Sequence, residues 1–305
     1  MRTIRLITAA LAVLVLSPSA AHAEGKPVEE KNILSGKDKL DPATGYIFLH
    51  AAGRTNGLFL RVPDAETRAA YQADWDEAFA KAEKKYPAQL KRWESDVAVA
   101  KSTKNKPPEK PLPPSRESFS IGAIELRDMV SFGPMFVFSK GETRFSYLTA
   151  VKPGSYIYYG PLYYAPGVPP AGQCYCMGTV RFEVKAGIVT DLGNFLGAAP
   201  KPAAPYDVTA LLWMKENEER AAKGKPTVFA PQELAYGLPD SLKSWPSAQA
   251  EFSSSGKLNN YFGITITRMP PVPGVLDYRR DAVIDARTGI EVPSPTIYTQ
   301  ARIKK

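Results

Sequence analysis

Apolar positions along the chain recur with two periods. In 45–50 and 58–62 they form short β-rich runs, separated by 53–57, which contains the Asn-Gly of Asn56 and Gly57. Asn-Gly between two such runs predicts a β-hairpin. From 64 to 101 glycine disappears and the period changes. Tyr71, Trp75, Phe79, Ala82, Tyr86, Leu90, Trp93 and Val97 follow at steps of three and four, which is one face of a helix. Asp64 can cap its first turn, and acids precede bases along it, as the helix dipole prefers. Pro87 falls inside this pattern and predicts a kink or a split. Aromatic stripes of this kind more often pack on their own domain than on a partner.

Residues 102–115 are proline- and lysine-rich and read as an extended, solvated linker. Then the short period returns. Residues 118–126, 135–139, 144–151, 155–159, 178–184 and 188–192 are rich in β-branched and aromatic side chains. Between 178 and 184, Val180, Phe182 and Val184 point one way while Arg181 and Glu183 point the other. Turns about every ten residues argue for a sandwich or barrel. Beyond 197–205, a plausible linker, 206–223 reads as a helix ended by Gly224. A helical fragment is expected over 246–252, a strand over 260–268 and a strand pair within 275–288. The fold class expected is mainly β with α insertions: an antiparallel β-sandwich over 45–196 carrying an inserted kinked helical arm, and a mixed C-terminal region over 197–305.

The N-terminus changes what the charge means. Arg2 and Arg5, an apolar core over 6–16 and an Ala-His-Ala site at 21–23 read as a secretory signal, followed by a flexible lead-in over 24–44. The core is too short to span a membrane. No later stretch is long and apolar enough to do so, which predicts an exported, periplasmic or extracellular chain. Without the leader the formal charge falls from +8 to +6, and His50 becomes the single histidine. That shortage excludes a His-rich zinc site, and two cysteines exclude a four-cysteine one.

Candidate chemistry is sparse. Cys174 and Cys176 flank Tyr175 and precede Met177. On a regular strand their side chains would share a face about 6.6 Å apart, so a disulfide needs a bend. Export favours oxidation. Reduced buried thiols, intermolecular or redox use, and a Cu(I) site of Cys174, Cys176 and Met177 are the other readings. His50, near the end of an apolar strand, could pair with a cysteine, although a lone strand histidine is more often structural. The pairs Asp277/Asp281 and Asp281/Asp285 could serve a glycosidase or simply meet Arg279, Arg280 and Arg287 at the surface. No phosphate-binding glycine motif, nucleophile elbow or H-E-x-x-H occurs, so no catalytic residues and no cofactor are assigned. Tyr156, Tyr158, Tyr159, Tyr163, Tyr164 and Tyr175 cluster around the Pro/Gly-rich stretch 161–172. They could stack on sugars or peptides, or pack the sheet.

The stretch 151–158, with Pro153 and Gly154, followed by 178–193, with Gly187 and Gly193, resembles uncharacterised bacterial envelope proteins of the DUF2846 type. The resemblance covers 45–62 and 116–196 and implies a small prealbumin- or immunoglobulin-like β-sandwich. It implies no catalytic residues. Many members are lipoproteins, whereas this chain lacks the lipid-accepting cysteine.

Three functions are therefore in view. The first is an exported, non-enzymatic cell-envelope protein that binds an envelope polymer or protein. The second is an envelope hydrolase using His50 with Cys174 or Cys176, or a carboxylate pair. The third is a copper-binding or redox protein. The positive charge suits anionic envelope polymers, and no nucleic-acid motif accompanies it.

Overall fold

A computed structural model describes residues 25–141, 144–165, 167–198, 208–225 and 233–294. The proposed leader, 1–23, lies outside them, as does most of the 197–205 linker. The strands are β1 (Lys26–Pro27), β2 (Gly45–Ala51), β3 (Gly57–Arg61), β4 (Met129–Phe132), β5 (Ser139–Lys140) and β6 (Phe145–Val151). They continue with β7 (Gly154–Gly160), β8 (Leu162–Ala165), β9 (Val168–Cys174), β10 (Thr179–Val184), β11 (Val189–Asp191) and β12 (Ser247–Gln249). The last are β13 (Ser253–Ser255), β14 (Thr265–Ile266), β15 (Leu276–Arg279), β16 (Ala282–Asp285) and β17 (Ile290–Glu291). The helices are α1 (Glu30–Leu34), α2 (Ala65–Ser102) and α3 (Val208–Ala222). None of the described helices is long and apolar enough to cross a membrane.

Two sheets make the sandwich. The first runs β1-β6-β2-β11-β12, with β5 also on β6; the second runs β13-β10-β7-β3-β4. The second is antiparallel, whereas β11 pairs parallel with both β2 and β12, so the first is mixed. Between them lie Ile47, Leu49 and Tyr147 from one side and Phe59, Tyr158 and Phe182 from the other. The far side of the first sheet is also covered: Tyr46 and Phe48 pack with Val28, Leu148, Val189 and Leu242. Burial on both faces explains why 45–49 reads as a continuous apolar run rather than an alternation. A smaller sheet, β14-β9-β8, and the β15-β16-β17 meander complete this unit. Phe252, Met269, Val272 and Leu276 join the main core, so residues 233–294 belong to the sandwich unit.

Several expectations are corrected. β2 and β3 do not form a hairpin; they lie in different sheets. Gly57 is the first residue of β3, where an added Cβ would meet the Phe132 ring at 2.6 Å, so close packing explains this glycine. The lead-in 24–44 supplies β1 and α1. The run at 118–126 holds a short 3-10 turn, Ile124–Leu126, and 246–252 holds β12 in place of a helix. The Pro/Gly-rich stretch is the β8–β9 hairpin. Its Pro169 and Pro170 fall at the register shift between β8 and β9 and where β14 does not reach, positions that tolerate proline.

A second unit comprises residues 74–122. Helix α2 enters it unbroken through Pro87. The proline-rich segment is packed along the helix's aromatic face. Trp93 Nε1–H donates to the Pro108 carbonyl (2.9 Å), the Tyr86 hydroxyl to Pro111 (3.4 Å) and Trp75 Nε1–H to Phe119 (3.2 Å). The repeats match. Seven helical residues from Trp93 back to Tyr86 rise about 10.5 Å, and three polyproline residues from 108 to 111 span about 9.3 Å. Lys110 and Arg116 cap the seam over the Trp93, Trp75 and Phe79 rings.

Candidate functional site

The cysteine segment is held by its neighbours in space. β9 ends at Cys174, and the chain turns so that the two Cα atoms lie 5.1 Å apart with the sulfurs in bonding contact. The bend that a regular strand lacked is therefore present. The Cys174 carbonyl accepts Thr267 N–H (2.8 Å), Met177 N–H donates to Thr267 (3.0 Å), and Met269 N–H donates to Gly178 (3.0 Å). Cys176 Sγ lies 3.4 Å from the Asn259 carbonyl and 3.9 Å from the Tyr159 hydroxyl.

These bonds fix Met177 and Arg268 beside the β15–β16 turn. There the Arg268 guanidinium stacks 4.6 Å from the Tyr278 ring centre, and its Nη1–H donates to the Arg280 carbonyl (3.2 Å). Tyr278 in turn donates its hydroxyl to the Met269 carbonyl (2.7 Å), with the Gly178 carbonyl also close (3.2 Å). Burial pushes the pKa of that phenol up. A Cβ on Gly178 would meet the Tyr278 ring at 2.7 Å, so only glycine admits this ring. Met177, Thr267, Arg268, Tyr278, Arg280 and Asp281 line a half-open surface basin of about 310 Å³. Its lining is mainly apolar, and the Arg268 guanidinium stacked on Tyr278 is the charged group placed beside it. That chemistry suits a small ligand with an apolar or flat body and an anionic group.

His50 stands elsewhere. It lies on β2, with its main-chain N–H on the Gly193 carbonyl (3.0 Å) and its side chain bonded to the Ala235 main chain. Burial, then the neighbouring Arg144, pushes its pKa down to about 4. Beside it Asp191 accepts Gly193 N–H (2.8 Å) and Gly237 N–H (2.7 Å), and burial raises its pKa. Asn194 accepts Ala235 N–H and donates to the Glu233 carbonyl. His50, Asp191 and Asn194 thus tie residues 233–237 to the first sheet. None of the partners found for His50 is shared with the cysteine pair.

Of the six tyrosines, Tyr156, Tyr158 and Tyr159 are buried, so they are core rather than a recognition surface. Strand alternation sends Tyr156 and Tyr158 between the sheets, and Tyr159 packs on the opposite face against Tyr261 and Phe262. Tyr175 is half-buried against Tyr158, Tyr164 leans on Phe262, and Tyr163 is exposed. Asp285 meets Arg287 (2.7 Å), which holds its carboxyl down at about 2. Asp281 lies in the turn before β16 and Asp285 at that strand's far end. Asp277 faces Ile284 across the hairpin. Among the described residues no three His, Cys, Asp or Glu side chains group to hold a metal ion.

Sequence reasoning missed Arg268, Tyr278 and Arg280 as a unit, because they meet Met177 only through tertiary pairing. Comparison with family models, curated proteins and solved structures finds no match to this chain.

Proposed function

We propose that this chain is an exported cell-envelope protein that acts by binding, and that its ligand occupies the basin of Met177, Arg268 and Tyr278. The observation that carries this reading is the stacked Arg268–Tyr278 pair, held beside a second arginine over an apolar lining. The ligand class is a small carboxylate or phosphate bearing an apolar or planar body. The leader at 1–23 and the resemblance to envelope sandwich proteins support the location. In that compartment the Cys174–Cys176 contact is a disulfide, which fixes the bend from which Met177 hangs. His50 serves to hold residues 233–237, and its low pKa keeps it neutral at ordinary pH.

Two measurements test this. The intact mass of the exported protein is expected to begin at Glu24 and to be two hydrogens lighter than the dithiol form. A retained leader or quantitative thiol alkylation without reductant would refute export or pairing respectively. Titration of small carboxylates and phosphates is expected to reveal binding that Arg268→Ala weakens at least about tenfold, the loss expected when one charge-assisted contact is removed. Equal affinity in the variant would remove Arg268 from the site.

A further inference from the structure

The charge of this chain is concentrated. Residues 81–110 carry nine Lys and Arg against four Asp and Glu, a net +5 of the chain's +8. They belong to the 74–122 unit. At about 100° per residue, Tyr86, Leu90, Trp93 and Val97 mark the seam that the proline segment covers. Lys81, Lys84, Lys85, Lys91 and Arg92 fall together on the opposite side, in an arc of about 120° and over about 16 Å of axis. All five are exposed, and no acid between 81 and 92 shares that arc. Lys81 pairs with Glu77 and Arg92 with Asp96 (3.9 Å), both at the surface, where such pairs exchange readily for other anions.

We infer that this helix face is a docking surface for a linear polyanionic glycan. A row of cations along a helix gains affinity by releasing the counterions condensed on a chain of regularly spaced anions. A bilayer fits less well. An interfacial helix needs an apolar stripe beside its cations, and here the apolar stripe is already covered by residues 108–119. Ala88 lies among the cations, and the same arc continues to Glu77 before them and to Ser95 and Val99 after them. The choice of a glycan over a nucleic acid rests on the exported reading above. Export is read separately from the intact mass, so the two can fail independently.

The test uses the full mature chain and two linear anionic glycans as probes, polygalacturonate for carboxylates and dextran sulfate for sulfate esters. Binding to at least one is expected, weakening about 10²-fold from about 50 to about 200 mM salt. The triple variant Lys84→Glu, Lys85→Glu, Lys91→Glu is expected to lose binding at least tenfold with an unchanged circular dichroism spectrum. A control with the same charge change elsewhere, Lys37→Glu, Lys39→Glu, Lys243→Glu, is expected to bind nearly as the parent does. Failure of both probes at low salt, equal loss in the control, or tighter binding to phosphatidylglycerol vesicles or duplex DNA would overturn the inference.

Discussion

Replacing Phe59 by alanine is expected to destabilise the sandwich by about 3–5 kcal/mol, measured by chemical unfolding. Phe59 is 1% exposed at the middle of β3. Its ring lies 5.3 Å from Phe132, 5.4 Å from Tyr158, 5.5 Å from Phe182 and 6.5 Å from Phe195. Those rings come from β4, β7, β10 and the segment after β11, so truncation opens a void that no single strand can close by shifting. Phe182 and Phe195 also contact Phe252, which brings the C-terminal part of the chain into the same cluster. A domain's whole stability is about 5–15 kcal/mol, so the variant should unfold near the lower edge of tolerable denaturant. Tyr163→Ala, at an exposed ring, should change stability by about 0.5 kcal/mol or less. A loss below about 1 kcal/mol for Phe59→Ala would contradict the packing described.

Removing the Asp128 carboxylate should cost about 2–3 kcal/mol, less than the full loss of a buried pair because Asp64 still faces the guanidinium. Arg61 ends β3 with only 7% of its side chain exposed. Its Nη1–H groups reach Asp128 (2.9 Å) and Thr67 (3.1 Å), its Nε–H reaches the Pro153 carbonyl (3.0 Å), and Nη2 contacts Asp64. Thr67 also donates to Asp128 (3.0 Å). In Asp128→Ala the guanidinium stays buried with one of its two anions gone and Asp64 alone to balance it. The paired replacement Arg61→Met, Asp128→Leu removes both charges and should recover most of the loss. If the single variant is as stable as the parent, the ion pair contributes nothing.

Asp64 is the outer, half-exposed member of this cluster. Thr67 N–H first, then Arg61, holds its carboxyl at about 2. Its contribution is therefore complete above the ordinary aspartate value near 4 and fades as the pH falls towards 2. As the first turn of α2 depends on that Thr67 bond, Asp64 is also the cap that the sequence suggested.

Local rules made much of this legible. β6, β7, β10 and β11 stand where alternating or β-branched runs placed them, and α2 begins and ends within a residue of its expected bounds. Gly224 has φ +63 after α3, as a helix-ending glycine should. What misled was context. Asn56-Gly57 is a hairpin signal only if the flanking strands pair with each other. Here both are buried centrally and recruit partners from far along the chain. The β8–β9 hairpin was hidden by prolines that an edge position tolerates. The proline-rich segment read as solvated because polyproline has no internal hydrogen bonds. Its donors are indole and phenol groups of a helix about twenty residues away.

The basin was the least legible feature. Cys174 and Cys176 marked its edge, and their bend could be foreseen from strand geometry. Arg268 and Tyr278, which give it chemistry, come from the segment after a two-residue strand and from a hairpin, with no motif of their own.

Beyond Met1 the chain has five methionines, of which Met129 and Met269 are buried in the core and Met177 lines the basin. Spectra of the ¹³C-methyl methionine groups, with Met177 assigned by Met177→Leu, therefore read occupancy directly during titration with small carboxylates and phosphates. The Met177 methyl is expected to shift in a saturable manner while Met129 stays in place, and Arg268→Ala should abolish the shift. Saturable binding that leaves the Met177 methyl unmoved would contradict the assignment of the basin as the binding site.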